Sequence, residues 1–197
     1  MRKITSRLAV GFLLVALITG FNVYQNRDSF SGNTVYTGFG FSFPYTENLM
    51  LYEMGSPDFG PDPSEFAGSV IAMTPSIDED FKEIIVEWRT IQETPSIEEI
   101  MEYYLNDLAT TSDVNFTASI GPRHIQRGEY TVAYWIMNGN QRGLEFMVVH
   151  GIWVEPWVSL RSNRVYIVGI IIPIVGYTPE MLDEMFRDFM DSLKSPV

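Results

Sequence analysis

The chain has 197 residues, of which 46% are hydrophobic and 14% aromatic, so it holds enough apolar side chains for one well-packed domain and is not generally disordered. Its formal net charge is −12, which excludes a typical nucleic-acid binder, because affinity for a phosphate backbone rests on Lys and Arg side chains. The absence of cysteine excludes disulfides, thiolate metal sites, thiol catalysis and a lipid-modified cysteine anchor.

Residues 1–24 are predicted to be a transmembrane anchor or a signal peptide. Three cations precede the apolar stretch 8–21, and the uncharged span 8–26 is long enough, at ~1.5 Å per residue, to cross the apolar core of a bilayer. The best cleavage signal, residues 18–20, has a branched side chain where a small one is preferred, which favours the anchor. The basic N-terminus predicts a single-pass protein of the cell membrane with an extracytoplasmic C-terminal domain, or a secreted protein if the leader is cleaved.

The segment 25–34 is polar and turn-prone and is predicted to be a tether, which leaves residues 35–197 as one folded domain. That domain opens with VYTGFGFSFPY, an alternation of aromatic and small residues that predicts one strand. Its prominent aromatic side chains are Tyr36, Phe39, Phe41 and Phe43. The run LMLYEM is a candidate hairpin partner for this strand.

The letters TPSI occur twice, from Thr74 and from Thr94, and the residues that follow each copy differ. The first copy lies between a strand-like run and KEIIVEWRTI, whose period-2 pattern predicts a strand, so we expect a hairpin connection there. This connection is expected to present four acids to solvent: Asp78, Glu79, Asp80 and Glu83. The second copy precedes EEIMEYYLNDL, whose apolar residues recur at spacings of three and four and predict an amphipathic helix capped by Thr94 or Ser96.

Further strands and a closing helix are predicted after residue 114. Two apolar runs meet at Asn138-Gly139-Asn140, a hairpin signal. The run RVYIVGIIIP is continuously apolar, which predicts a central strand buried on both faces. Thr178 and Pro179 open a last helix with one wide apolar face. Because short turns join the strands, the predicted fold class is α+β, a mostly antiparallel sheet covered by helices in an α-β-α sandwich.

No group of residues for catalysis, for a cofactor or for a metal is expected. The sequence has two histidines, His124 in a predicted turn and His150 in a predicted strand, and they lack the spacing of a zinc site. It has no G-x-S-x-G elbow, no P-loop and no dinucleotide-binding glycine motif. The candidate platform for a ligand or partner is the pair Trp153 and Trp157, near a predicted sheet edge.

Three stretches of the chain carry a resemblance to a known family. They are GFGFSFPY from Gly38, FKEIIVEWRTI before SIEEIMEYYLNDL, and the ending VYIVGIIIP with MLDEMFRDFMDSL. Together, over about residues 34–195, they resemble the PsbP-like family and its relatives, the Ran-binding Mog proteins and mycobacterial lipoproteins of similar fold. The chain departs from that family where Pro44 leads into YTENLM without a nearby Trp. The resemblance implies an α+β accessory or interaction protein and carries no catalytic motif.

Two functions of different classes follow. The first is a non-catalytic extracytoplasmic binding or assembly module, tethered to the membrane by its N-terminal helix and partnered by another membrane-associated protein, without nucleic acid. The alternative is a carrier of a small ligand or lipid in a cleft near Trp153 and Trp157. A carrier is expected to show an apolar pocket of ~300 Å³ or more, and an accessory module none. An enzyme is expected to show a strongly shifted carboxyl or imidazole group inside a cleft.

Overall fold

The computed structural model describes eight segments of the chain: 34–38, 41–55, 67–75, 81–91, 96–111, 114–141, 143–157 and 162–194. The expected anchor or signal at 1–24, almost all of the tether, and the acids at 78–80 lie outside these segments. Within them, no helix is both long enough and apolar enough to cross a membrane.

The first two strands form a small sheet of their own. Strand β1 (Thr34–Gly38) pairs antiparallel with β2 (Phe41–Tyr45), with Gly38 opposite Phe41. The prediction of one continuous strand here is therefore wrong, since the chain reverses after Gly38. The reversal brings Tyr36 and Phe43 opposite each other, with ring centroids 5.0 Å apart and both side chains buried.

The described residues also form a seven-stranded sheet in which every neighbouring pair is antiparallel. Its strands in chain order are β3 (Met50–Gly55), β4 (Ala67–Met73), β5 (Glu83–Ile91), β6 (Val114–Arg127), β7 (Tyr130–Gln141), β8 (Leu144–Trp157) and β9 (Ser162–Pro173). In space the order is β3-β4-β5-β9-β8-β7-β6. Strand β9 is therefore central, as its continuous apolar run predicts. All but the first residue of the run LMLYEM lies in β3 and pairs with β4, so the hairpin predicted for it with the opening strand is wrong.

The hairpin predicted at Asn138-Gly139-Asn140 is misplaced. These residues lie inside β7, and the chain reverses around Gly143, where φ is +90°, a conformation that glycine adopts without strain. Gly139 has a different reason to be glycine, since a Cβ there would lie 2.4 Å from the ring of Phe146. The glycine that indicated a turn is therefore a place of close packing.

Two helices lie in the described part of the chain, as predicted. Helix α1 (Ile97–Thr111) begins at a capping box: the Ser96 backbone N–H donates to Glu99 Oε2 at 2.8 Å, and the Glu99 backbone N–H donates to Ser96 Oγ at 3.1 Å. Ser96, one of the two caps that the sequence offers, thus caps α1. Helix α2 (Pro179–Ser192) is capped by Thr178, and Pro179 lies in its first turn.

The strands of the large sheet send alternate side chains into two core clusters, one on each face. On β5, Ile84 and Val86 belong to the cluster that contains α2, whereas Ile85 belongs to the cluster that contains α1. The small sheet packs on the same face as α2, where the rings of Phe43 and Phe189 are 5.6 Å apart. The fold is therefore α+β and dominated by its sheet, and the predicted cover of helices overstates their share, because α2 and the β1–β2 hairpin divide one face between them.

Thr178→Ala is expected to lower the free energy of unfolding by about 1 kcal/mol. The Thr178 hydroxyl accepts a hydrogen bond from the Met181 backbone N–H at 3.3 Å, and alanine leaves that donor without this acceptor. Thr178→Ser keeps a hydroxyl and is expected to retain most of the stability. Urea unfolding followed by circular dichroism measures both variants, and equal losses would show that the cap does not stabilise α2.

Candidate functional site

An open groove of about 330 Å³ lies between helix α1 and the irregular part of strand β6. We call it the α1–β6 groove. Five of its lining residues come from α1, one from β6 and one from β7: Glu98, Met101, Glu102, Leu105 and Asn106, then Pro122, then Trp135.

The helical repeat of α1 places its groove residues on one side of the helix. Glu98 lies three residues before Met101 and four before Glu102, and Leu105 lies four after Met101 and three after Glu102, which brings all four onto one face. Met101 is 3% exposed and, with Trp135 at 8%, forms the floor of the groove. Leu105 is half-buried, whereas Glu98 and Glu102 are exposed and form a rim.

The other wall of the groove depends on a break in β6, an edge strand of the large sheet. The register between β6 and β7 shifts between Ile120 and Arg123, as occurs at a β-bulge, and Pro122 lies within the shift. Gly121 has φ +143°, and a Cβ on it would lie 3.1 Å from Trp135 Cδ1. Glycine therefore lets the edge strand pass close to Trp135 and bring Pro122 to the groove.

The groove is negatively charged. Helix α1 contains four acids, Glu98, Glu99, Glu102 and Asp107, and no Lys or Arg, and none of the seven lining residues is a cation. Glu99 is held in the capping box. Glu98 and Glu102 are four residues apart on one helical face, a like-charge spacing that destabilises an isolated helix by a few tenths of a kcal/mol. The groove thus combines an apolar floor with an acidic rim.

A cluster of ionisable side chains is buried under α1. Its members, which we call the buried cluster, are Glu83 and Glu87 of β5, Tyr104 of α1 and His150 of β8, all between 1% and 8% exposed. The rings of Tyr104 and His150 meet edge-on with centroids 5.1 Å apart. Gly169 of β9 makes room for the imidazole, because a Cβ there would lie 2.7 Å from His150 Cδ2.

Burial shifts the protonation of this cluster towards its neutral forms. Burial raises the pKa of Glu83 to about 8, helped by the charge of Glu87, and it raises the pKa of Glu87 to about 8 against the opposing charge of Arg89. Burial lowers the pKa of His150 to about 3. Burial also raises the pKa of Tyr104 well above its ordinary value, with the charges of both glutamates adding to the effect. No side chain of the cluster lines the α1–β6 groove.

The burial of Glu83 corrects one sequence prediction. Glu83 was expected at a solvated hairpin tip, but it is the first residue of β5 and is 3% exposed. The alternation of Glu83 and Glu87 with apolar residues is typical of a strand with one wet face, and nothing local indicates that α1 covers that face.

The two histidines have different environments. His150 lies in β8, as predicted, and is 1% exposed. His124 lies in β6 opposite Ala133, so the turn predicted for it is wrong, and its side chain is exposed. In the segments that the structure describes, no group of three or more His, Asp or Glu side chains could hold a metal ion.

The structure places Trp153 inside the core. Its indole is 0% exposed, stacks on Tyr166 at 4.7 Å, lies 5.0 Å from the Arg127 guanidinium and donates from Nε1 to Glu155 Oε1 at 2.7 Å. Strand β8 is an interior strand of the sheet, and Trp157 lies at its end opposite Ser162. The side chain of Trp157 is outside what the structure describes, so a ligand or partner role for this pair stays a prediction.

The fold and the groove define a sheet-dominated α+β protein. No protein-family model matches the chain, and no curated protein matches it. Among solved structures, LpqN of Mycobacterium tuberculosis, involved in cell envelope biogenesis, is similar with a TM-score of 0.50 and 12% identity, over 78% of this chain and 82% of LpqN. The Saccharomyces cerevisiae Ran-binding protein Mog1p is similar with a TM-score of 0.41 and 12% identity, over 78% of this chain and 89% of Mog1p.

A third similar structure is PA94 of Pseudomonas aeruginosa, a protein of unknown function described as a putative regulator, with a TM-score of 0.39 and 10% identity over 80% and 91% of the two chains. The likeness to LpqN shows the fold, and at this level of identity it shows the fold alone. The resemblance read from the sequence is thus supported only as far as a fold similar to that of LpqN. Membership of the PsbP-like family itself stays a prediction.

Proposed function

We propose that this protein is a non-catalytic binding module of the cell envelope, tethered to the membrane by its N-terminal segment and acting as an accessory to another membrane-associated protein. The proposal is carried by the separation of the buried ionisable groups, whose pKa values are shifted, from the groove. Glu83, Glu87 and His150 are at most 3% exposed, and none of them lines the α1–β6 groove. A general acid or base must come within hydrogen-bond reach of its substrate, and these groups are covered by α1.

The proposed location rests on the leader and agrees with a structural neighbour. The apolar stretch 8–21 follows three cations, the order typical of an anchor whose following domain lies outside the cytoplasm. LpqN, whose fold the chain shares, is involved in cell envelope biogenesis.

A carrier of a small apolar ligand is the second candidate, because the α1–β6 groove reaches the size expected for one. Its volume of about 330 Å³ is at the lower end of the range for small-molecule sites and meets the size expected of a carrier. The groove is open and has an acidic rim, unlike the enclosed apolar pocket of a typical carrier, and this favours the binding module. The groove is formed by α1 and β6, away from the predicted cleft at Trp153. Native mass spectrometry of the purified full chain would detect a retained ligand, which is expected of a carrier and not of an accessory module.

Photo-crosslinking in intact cells tests the binding role. A benzophenone amino acid in place of Glu102, on the groove rim, is expected to give one discrete protein adduct, identified by mass spectrometry. The same amino acid in place of Glu184, exposed on α2 at the opposite face of the sheet, is the matched control and is expected to give none. A small-molecule adduct at position 102 would favour the carrier. The absence of any adduct, or the same adduct from both positions, would contradict a binding role for the groove.

A further inference from the structure

We propose that the α1–β6 groove binds a cationic amphipathic segment of a partner protein, which places apolar side chains on Leu105 and Pro122, above Met101 and Trp135, and a Lys or Arg beside Glu98 and Glu102. This inference rests on the proposed binding role and adds the chemistry of the partner.

The floor of the groove suits a few apolar side chains. Met101 and Trp135 are almost fully buried, so the apolar surface that a ligand can cover comes mainly from the half-buried Leu105 and the exposed Pro122. A volume of about 330 Å³ accommodates the anchoring side chains of one helical or extended segment, the arrangement of groove recognition by i, i+3 and i+4 residues.

The rim selects the charge of the partner. Glu98 and Glu102 are exposed, lie four residues apart and belong to a helix with no Lys or Arg. A cation placed between the two carboxylates is attracted by both and relieves their mutual repulsion. The net charge of −12 adds a long-range attraction for cationic segments and speeds their encounter with the protein.

The same charges disfavour the other classes of partner. An anionic membrane surface or a nucleic acid would bring further negative charge against Glu98 and Glu102, where no cation lines the groove to receive it. A neutral lipid would fit the floor but would leave the acidic rim unused. A cationic amphipathic segment uses both parts of the groove.

Methyl NMR of the full chain in a non-ionic detergent tests the proposal, with ¹³C-methyl-labelled methionine as the reporter. The probe is a synthetic peptide of about 14 residues, four helical turns, with leucine on one face and lysine on the other. The Met101 methyl signal is expected to shift and saturate as peptide is added. The signal of Met181, exposed on α2, is the internal reference and is expected to stay in place. Binding is expected to weaken as the salt concentration rises to about 0.5 M.

Matched variants separate groove binding from general attraction to an acidic protein. Glu98→Gln/Glu102→Gln is expected to weaken peptide binding by about three- to tenfold, the effect of two exposed ion pairs. Glu184→Gln/Asp188→Asn removes the same charge from exposed positions of α2 and is expected to change the affinity by less than about twofold. Detergent binds peptide equally in all variants, so their affinity ratios report the protein alone.

Three results would overturn the proposal. One is an equal loss of affinity in both double variants, which would indicate unspecific electrostatics. The second is equally tight binding of a peptide with glutamate in place of lysine, or of a peptide with the same composition and no apolar face. The third is the absence of any Met101 shift. If Met101 does not shift but position 102 gives a protein adduct in cells, the proposed binding role stands and the partner has another chemistry. If position 102 gives no adduct either, the binding role itself is contradicted.

Discussion

Phe186→Ala is expected to lower the free energy of unfolding by about 3–5 kcal/mol, because it empties a closely packed site between α2 and the sheet. The Phe186 side chain is 0% exposed, and its ring lies 5.1 Å from that of Tyr134. Gly151 of β8 leaves the space that this ring fills, since a Cβ there would lie 2.4 Å from Phe186 Cζ. The backbone of β8 is held by hydrogen-bonded ladders on both sides and cannot close over the cavity.

Urea unfolding of the full chain in a non-ionic detergent measures this loss. Met181→Ala on the same helix is the matched control, because its side chain is 43% exposed and its truncation is expected to change stability by less than about 0.5 kcal/mol. A loss of under about 1 kcal/mol for Phe186→Ala, or similar losses for both variants, would show that α2 does not pack on the sheet through this face.

The free energy of unfolding is expected to fall as the pH rises from about 4.5 to about 8, because burial raises the pKa of both Glu83 and Glu87 from 4.5 to about 8. Between these pH values the unfolded chain releases two protons that the folded chain retains, which favours the unfolded state. The stability that neutral glutamates provide is complete below pH 4.5 and is lost as the pH passes through 8. Each such group changes the free energy by at most about 1.4 kcal/mol per pH unit.

His150 acts in the opposite direction over part of this range. Burial lowers its pKa from 6.5 to about 3, so the folded chain holds it neutral while the unfolded chain takes up a proton as the pH falls below 6.5. The steepest fall in stability is therefore expected between pH 6.5 and 8, where the two glutamates act alone within the buried cluster. Besides Tyr104, the fourth member of the cluster, the ionisable side chains in the described segments whose charges act on it are Arg89 of β5 and Asp107 of α1.

Glu83→Gln/Glu87→Gln tests this assignment, because glutamine imitates the neutral acid and does not titrate. The wild-type chain is expected to lose at least about 2 kcal/mol between pH 6.5 and 8, and the double variant to lose less than half as much. Urea titrations at fixed pH values measure both, with Glu184→Gln/Asp188→Asn as the control that keeps the wild-type slope. A flat wild-type profile in this window, or a slope that survives in the double variant, would place the two carboxylates in a more hydrated setting.

The buried cluster also bears on the absence of catalysis that we propose. Shifted carboxyl and imidazole groups are typical of active sites, but ion pairs and burial in a structural core shift them as well. In this protein the shifts come first from burial, and the groups that carry them lie behind α1. If α1 opened, Glu83, Glu87 and His150 would be exposed together, so a catalytic role would require a second conformation of this helix.

Much of the local structure could be predicted because it depends on neighbours in the chain. The apolar stripe of α1, its cap at Ser96 and the wide apolar face of α2 follow from the helical repeat and from capping chemistry, which act within a few residues. The continuous apolar run of β9 predicted a strand buried on both faces, and β9 lies at the centre of the sheet. Each of these features depends only on residues within one short segment of the chain.

The sequence-based predictions are wrong where contacts between distant segments of the chain determine the local structure or the burial of a side chain. One strand was predicted where β1 and β2 form a hairpin, because the alternating aromatics are compatible with either and only the shared core with α2 favours the reversal. Asn138-Gly139-Asn140 has the letters of a turn, but Gly139 is needed for the packing of Phe146. Glu83 and Glu87 have the pattern of an exposed face, and their burial depends on where α1 lies.

By itself, the sequence determined the α+β class, the antiparallel joining of most strands, the two helices and the acidic character of α1, because local periodicity, caps and charge are properties of contiguous residues. The tertiary structure alone decided that α1 covers the glutamates of β5 and the imidazole of His150, that Trp153 is buried in contact with Tyr166 and Arg127, and that a break in β6 leaves a groove beside α1. Those facts depend on which elements meet in space, and the free energy of burying side chains between distant segments is not encoded in any one of them.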